Sequence, residues 1–149
     1  HKQDAPTITV VTCKAALINH KGQLLLLRRT ETAPRRPLEW DLVGGLWDKG
    51  AETFEQTLKR EAHEETGMDI RELWLHRSIP ELLPDKTYSL RVLFIGKVGH
   101  DKVELSREHD MFTWAGIHDI DVYELPLHQH AVAIAALKQF GREPDRPTS

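Results

Sequence analysis

The sequence predicts an α/β fold of the α+β type, an α/β/α sandwich in which a mixed β-sheet lies between two helices. Two segments carry helix signals at both ends, Phe54–Thr66 and Leu127–Phe140. The runs around them are rich in β-branched and aromatic residues, which favour strands. In Tyr88–Val98 the apolar residues are nearly continuous, which is typical of a strand covered on both faces. A helix on each side of the sheet would provide that cover.

The strands are predicted from their composition and from the turns that separate them. The first two are expected to form a hairpin across the turn His20–Gln23. Two polar loops, Thr30–Pro37 and Pro80–Lys86, link strands along the chain. The predicted strands are Thr7–Asn19, Leu24–Leu27, Glu39–Val43, Ile70–Ile79, Tyr88–Val98 and Met111–Trp114.

The first helix has a complete set of local signals. Thr53 and Gln56 form a Thr-x-x-Gln capping box, which satisfies free amide groups at a helix start. Gly67 provides the left-handed residue that ends many helices. The apolar residues recur at every fourth position, and the predicted buried stripe consists of Phe54, Leu58 and Ala62.

Three glutamates near the end of this helix, Glu61, Glu64 and Glu65, are oddly placed for surface charges. With a rotation of about 100° per residue, Glu61 and Glu65 project within roughly 20° of Phe54. Being four residues apart, these two repel each other by about 0.2–0.5 kcal/mol when both are ionised. A hard divalent cation, which prefers oxygen ligands, would neutralise them. The pattern therefore indicates a metal site.

The second helix is predicted to begin after Pro126, which suits a first helical turn, and to end at Gly141. Its predicted buried stripe consists of Ile134, Leu137 and Phe140. Residues 1–141 are expected to form a single domain, and the polar, proline-rich residues 142–149 to form a disordered tail.

Composition excludes several classes of protein. A chain of 149 residues with 40% hydrophobic content suits one globular domain. The net charge of −3 gives no reason to expect a nucleic-acid polymer as partner. Cys13 is the only cysteine, so an intramolecular disulfide is impossible. No apolar run reaches the ~20 residues of a membrane span, and no signal-peptide pattern is present. We therefore expect a cytoplasmic protein that does not associate with membranes.

The segment Glu52–Met68 resembles the signature of the Nudix hydrolase superfamily, the MutT-like hydrolases of nucleoside diphosphates linked to another group. That signature is Gly-x5-Glu-x7-Arg-Glu-U-x-Glu-Glu-x-Gly-U, where U is aliphatic. Every fixed position from Glu52 onward matches. Two departures precede it, because six residues rather than five separate Gly45 from Glu52, and Val43 replaces a proline that many members have. The loop is therefore expected to differ in shape.

The resemblance implies bound Mg²⁺ or Mn²⁺. Its ligands would be the carbonyl oxygen of Gly44 and the carboxylates of Glu61, Glu64 and Glu65. In some members an acidic residue before the last strand also approaches the metals. The run Glu108-His109-Asp110 resembles that stretch, which makes Glu108 a further candidate ligand.

The resemblance also implies a reaction in which water attacks a phosphorus atom of a diphosphate. One glutamate would act as general base, with Glu61 as the first choice and Glu64 as the second. Arg60 is expected to orient these glutamates by hydrogen bonding, and Glu52 to brace the loop or the metal ligands.

Substrate-binding residues are expected at the end of the second strand, where members of the family often contact phosphate. Arg28 and Arg29 are adjacent in that strand, so one of them should face inward. The other candidates for substrate binding are Trp40 and Gly45. The two arginines of the following loop are interpreted as surface residues, namely Arg35 and Arg36.

The substrate itself is left open by the sequence. A nucleoside triphosphate cleaved to monophosphate and pyrophosphate is the first choice, followed by ADP-ribose or another nucleotide sugar and by a dinucleoside polyphosphate. Two alternatives are a non-catalytic, nucleotide-sensing Nudix module and an enzyme like isopentenyl diphosphate isomerase, which relies on a catalytic cysteine. The resemblance also leaves open a homodimer.

Overall fold

The computed structural model describes residues 6–141, and the predicted tail at 142–149 lies outside the described residues. The strands are β1 Ile8–Ile18, β2 Leu24–Arg29, β3 Trp40–Asp41, β4 Val43–Leu46, β5 Ile70–Leu82, β6 Tyr88–Val98 and β7 His109–Ala115. The helices are α1 Phe54–Thr66 and α2 Leu127–Phe140, and a short 3₁₀ turn spans Ile120–Val122. Within 6–141, no helix has the length and apolar character needed to cross a membrane.

The seven strands form one mixed sheet in the order β3-β2-β1-β6-β5, with β4 paired to β1 and β7 paired to β2. β1 and β6 are parallel, while the other pairs are antiparallel. The predicted mixed sheet is confirmed. The expected hairpin between β1 and β2 pairs at one position only, Ile18 with Leu24, because β1 then pairs with β4.

Both faces of the sheet carry an apolar core, as the alternation along β1, β2 and β6 shows. One core lies against α1 and the other against α2. The α1 side receives Cys13, Ala15, Leu17, Leu25, Leu27, Val92 and Phe94. The α2 side receives Ala16, Ile18, Leu24, Leu26, Leu93 and Ile95. This arrangement confirms that β6 is covered on both faces.

Both helices have the predicted bounds, and the capping box and the left-handed Gly67 of α1 are present. The predicted stripe of α2 is only partly right, since Leu137 is buried but Ile134 and Phe140 are half-buried. Phe140 instead packs edge-on against Trp74 near the sheet margin, with ring centroids 5.2 Å apart. Small residues bring α2 close to the sheet, and its buried apolar residues are Val132, Ala133, Ala136 and Leu137.

Two strand predictions are corrected by the pairing. β5 continues through Pro80 to Leu82, so the predicted loop Pro80–Lys86 begins too early. Proline is tolerated there because β5 is an edge strand, where one row of N–H groups needs no partner. The predicted strand Glu39–Val43 is in fact two short strands, since the chain leaves β2 after Asp41 and pairs with β1 from Val43 onward.

This switch between strands delivers Gly44 to the middle of the sheet, opposite Lys14 of β1. Gly44 has a φ of 145°, and a Cβ atom added there would overlap the carbonyl oxygen of Cys13. Only glycine allows the backbone to pass so closely. The glycine pair is therefore fixed by the sheet before it reaches α1.

Candidate functional site

The carboxylates at the end of α1 lie against the glycine pair of β4. Glu65 is 2% exposed, and its Oε1 accepts a hydrogen bond from the Gly44 N–H at 3.0 Å. A Cβ atom added at Gly45 would come within 2.9 Å of the carboxyl carbon of Glu61. The helix and the loop thus meet through two glutamates and two glycines.

Burial opposes the ionisation of these two carboxylates. Burial raises the pKa of Glu65 to about 8, although Lys14 and the Gly44 N–H oppose the shift. Burial also raises the pKa of Glu61, and the charges of Glu64 and Glu108 add to the effect against the opposing charge of Arg60. The pKa of the buried Glu65 stays raised despite Lys14, so its carboxyl group requires a proton or a cation at neutral pH.

The segment before β7 brings a further acid to the cluster. Backbone N–H groups at Glu104 and Ser106 donate to the carbonyls of Thr66 and Glu65, at 2.9 and 3.2 Å. These bonds hold the segment against the end of α1. Carboxylate oxygens of Glu65 and Glu108 and a ring nitrogen of His109 all lie within 4.8 Å of one another.

Sequence reasoning missed His109, although it noted the Glu108-His109 run. The imidazole is 7% exposed, and its Nδ1 has no hydrogen-bond partner among the residues that the structure describes. Burial lowers the pKa of His109 to about 4, so the ring is neutral at pH 7. Its burial depends on tertiary packing, and the polar neighbours in sequence give no sign of it.

Arg60 connects the candidate catalytic glutamates. Its Nε and Nη2 donate to the Glu52 carboxylate, each at 2.9 Å to a different oxygen. Its Nη1 lies 2.9 Å from Glu61 Oε1 and 3.3 Å from Glu64 Oε2. The side chain therefore reaches back over the carboxylates from the solvated side of α1. Arg60 thus contacts the glutamates that it is expected to orient, and Glu52 contacts Arg60; both roles stay predictions.

The loop before Glu52, which contains the extra residue, is held together by contacts among its own residues. Trp47 packs edge-on against Phe54 with centroids 5.2 Å apart, and its indole N–H donates to the Glu52 carbonyl at 2.6 Å. A tight turn follows Asp48, with Gly50 at a φ of 83° in open space. The longer loop thus still returns Glu52 to Arg60.

A cleft of about 670 Å³ opens beside the carboxylates. Gly44, Gly45, Glu61 and Glu108 lie on its wall. The remaining wall is strongly basic, with five cationic side chains from three parts of the chain, Lys14, Arg29, Arg35, Arg36 and Arg91. A cleft lined by both acidic and basic side chains suits an anionic ligand bound next to a cation.

Asp41 organises part of the basic wall, and sequence reasoning missed both it and Lys14. Its side chain is fully buried, and Oδ2 lies 3.0 Å from Lys14 Nζ, 3.3 Å from Arg29 Nη1 and 3.4 Å from Arg36 Nη2. Burial works to raise the pKa of Asp41, but Lys14 and Arg36 outweigh it and hold the pKa below its usual value. Asp41 is therefore an ionised anchor for three cations.

The structure places the four substrate-binding candidates in different locations. Arg29 and Gly45 line the cleft. Arg28 points elsewhere and forms a two-pronged ion pair with Asp110, at 2.8 and 3.0 Å. Trp40 packs edge-on against Tyr123, with centroids 4.9 Å apart, in the core on the α2 side and is not part of the cleft wall. Arg35 is exposed, in agreement with its interpretation as a surface residue, and Arg36 is half-buried; both also line the cleft.

The groups available as metal ligands fit a hard divalent cation. Most of these groups are carboxylates, and Gly44, whose carbonyl oxygen is the further candidate ligand, lines the same cleft. That oxygen is 3.5 Å from Lys14 Nζ, so positive charge already lies near it. The buried, poorly compensated Glu65 is the strongest structural sign of an ion.

The chain is similar to known proteins both in sequence and in structure. The sequence matches the NUDIX domain family over residues 9–137. No curated protein sequence matches the chain. The MutT protein of Methanosarcina mazei Go1 is similar in structure, with a TM-score of 0.68, 25% identity and coverage of 94% of this chain and 100% of that one.

Two further solved structures share the fold at lower identity. The NUDIX domain of Shewanella oneidensis NrtR, solved with ADP ribose, has a TM-score of 0.71 and 17% identity, covering 92% of this chain and 89% of its own. A Caenorhabditis elegans Ap4A hydrolase has a TM-score of 0.64 and 21% identity, covering 89% and 95%.

Proposed function

The chain belongs to the Nudix family and is a pyrophosphohydrolase, and from this premise we propose that it hydrolyses the diphosphate linkage of a nucleoside diphosphate bound to another group, using Mg²⁺ or Mn²⁺. One observation supports this most strongly. The buried carboxylate of Glu65 and the half-buried carboxylate of Glu61 lie against Gly44–Gly45 at the edge of a basic cleft. The cleft thus combines a place for a cation with a place for a polyanion.

In this proposal the cation is held by five groups, the Gly44 carbonyl and the carboxylates of Glu61, Glu64, Glu65 and Glu108. When bound, a divalent cation neutralises phosphate charge and acidifies water. It would also give the buried Glu65 positive charge in addition to that of Lys14. Glu64 is 57% exposed, so it lies at the solvent side of the set.

Glu61 acts as the general base that accepts a proton from the attacking water, with Glu64 as the second choice. Its carboxylate is held between the backbone of Gly45 and the Arg60 guanidinium, which donates at 2.9 Å. Glu52 fixes Arg60 from the other side. Arg60 is thus a positioning residue that holds the base in one orientation.

The basic wall binds the substrate phosphates beyond the cation. Arg29 and Arg36 are positioned by Asp41, while Arg91 lies elsewhere on the wall. The preferred substrate is a nucleoside triphosphate, cleaved to monophosphate and pyrophosphate. ADP-ribose and a dinucleoside polyphosphate are the next choices, in keeping with the similar structures named for ADP ribose and for Ap4A hydrolysis.

The isomerase alternative depends on a reactive cysteine, and Cys13 does not suit that role. Its side chain is fully buried in the core on the α1 side. Burial raises the pKa of the thiol to about 12, so it is not a thiolate at neutral pH. A lone reduced thiol is compatible with the reducing cytoplasm, where we place the enzyme.

The substrate class is tested by a hydrolysis screen of nucleoside triphosphates, ADP-ribose and dinucleoside polyphosphates, with and without Mg²⁺. We expect Mg²⁺-dependent turnover of one class, with nucleoside monophosphate among the products. Thermal stabilisation by one compound without turnover of any would contradict hydrolysis and would favour the nucleotide-sensing alternative.

Gly45→Ala is expected to lower kcat by about 10²-fold without unfolding the protein. The added Cβ would lie 2.9–3.1 Å from the Glu61 carboxyl group, which must then shift. The end of a flexible side chain moves easily, so we expect the melting temperature to change little. The measurement compares kcat and thermal unfolding of the variant with those of the native chain.

Gly116→Ala is the matched control, because its Cβ would meet only the Asp119 carboxylate at an ordinary 3.5 Å. This control should keep native kcat. Native kcat in Gly45→Ala would show that the position of the Glu61 carboxylate does not matter.

A further inference from the structure

His109 is a buried polar side chain without a partner. It begins β7, is 7% exposed, and its Nδ1 is buried with no hydrogen-bond partner among residues 6–141. Buried polar atoms nearly always have a partner, so an exception calls for an explanation such as an ion. Nothing in the proposed hydrolysis uses this side chain.

The imidazole faces two carboxylates. A ring nitrogen of His109 and carboxylate oxygens of Glu65 and Glu108 lie within 4.8 Å of one another. Donors bound at about 2.0–2.3 Å from one ion are at most about 4.6 Å apart. Only small side-chain movements therefore separate this trio from a set of three ligands. Glu108 is exposed and can make that movement, while Glu65 and His109 are fixed by burial.

We propose that His109 supplies a nitrogen ligand to a divalent cation held by Glu65 and Glu108, so that this site prefers Mn²⁺ or Co²⁺ to Mg²⁺. The inference deepens the proposed function, because it rests on the same metal centre. Mg²⁺ takes oxygen ligands almost exclusively, whereas imidazole suits transition metals. A site in which one imidazole joins the oxygen ligands should therefore discriminate between these ions better than a site with oxygen ligands alone.

The direct test is electron spin-echo spectroscopy of Mn²⁺ bound to the full chain without substrate. An imidazole ligand gives a ¹⁴N modulation of the Mn²⁺ signal, and a carboxylate does not. We expect this modulation in the native protein and its loss in His109→Phe, which keeps a buried ring without nitrogen. His128→Phe changes a histidine on the cleft wall outside the trio and should retain the modulation.

Metal titrations give a second readout. In His109→Phe, we expect Mn²⁺ affinity to fall by about 10–100-fold and Mg²⁺ affinity to change far less. An unmodulated Mn²⁺ signal in the native protein would overturn the inference even if His109→Phe failed to fold. An equal loss of both affinities would overturn it as well.

These outcomes are separable from the proposed function. Hydrolysis without ¹⁴N modulation removes His109 from the metal site and leaves the hydrolase standing. If the native protein shows ¹⁴N modulation but hydrolyses no substrate, His109 remains a metal ligand and the enzymatic proposal is contradicted.

Discussion

Glu61→Gln is expected to lower kcat by about 10²–10⁴-fold, the usual contribution of a positioned general base. Glutamine keeps the shape of the side chain and loses both the charge and the basic oxygen. The Glu61 side chain is 17% exposed and lies beside Gly45 and Arg60, where an amide of the same size still fits. The measurement is kcat at saturating Mg²⁺, together with the melting temperature to confirm the fold.

Glu55→Gln is the matched control on the same helix. Glu55 lies in the first turn of α1 and is exposed. Its amide variant should keep native kcat. If Glu61→Gln retained kcat within about threefold, less than 1 kcal/mol in activation free energy, Glu61 would be excluded as base and Glu64 would be the next residue to replace.

Asp41→Ala is expected to reduce the free energy of unfolding by about 3–5 kcal/mol, as when one partner of a buried ion pair is removed. The fully buried carboxylate faces Lys14, which is 12% exposed and loses its main counter-charge. Arg29 and Arg36 lose the same acceptor, so KM for the substrate should rise as well. Urea unfolding and steady-state kinetics measure the two effects.

The control for this variant is Asp110→Ala, which removes an ion pair with Arg28 at the surface. Both side chains there are about one-third exposed, at 30% and 34%. Pairs of this kind contribute about 0–1 kcal/mol. Equal destabilisation by the two variants would contradict the anchoring role of Asp41.

The stabilisation by Asp41 should depend on pH in a defined direction. Burial opposes ionisation, yet Lys14 and Arg36 hold the pKa of Asp41 below its model-compound value of 3.8. A carboxyl group with a lowered folded-state pKa stabilises the fold above its unfolded pKa and loses this effect as pH falls through the folded pKa. The difference in unfolding free energy between the native chain and Asp41→Ala should therefore shrink below pH ~3.8. A difference that grew in acid would contradict the assignment.

Local patterns predicted the parts of the site that lie on one element. The capping box, Gly67 and the spacing of Glu61 and Glu65 are all properties of a single helix, and the structure has them as predicted. The glycine pair was also predicted to lie at the site, because glycine lets the backbone come close to a bound ion or phosphate. A helical repeat and a capping motif are determined by neighbours in sequence.

The residues that were missed are brought to the site by distant strands. Asp41 is adjacent to apolar residues, but its partner Lys14 is 27 positions away. His109 is polar and follows an exposed segment, and only packing against α1 shows that it is buried. The switch of the chain from β2 to β1 after Asp41 likewise depends on which strands are already paired. These positions depend on tertiary packing, which the periodicity of the sequence does not predict.

The central claim is that water attacks a phosphorus atom in a metal-dependent reaction at the Glu61–Glu65 cluster. Hydrolysis in H₂¹⁸O, followed by mass spectrometry of the products, tests it most directly. We predict that, with Mg²⁺ present, one phosphoryl product of each cleavage carries a single ¹⁸O atom, and that chelation with EDTA abolishes the labelled product. Turnover of a diphosphate substrate without ¹⁸O in any product, or labelling that persists in EDTA, would contradict it.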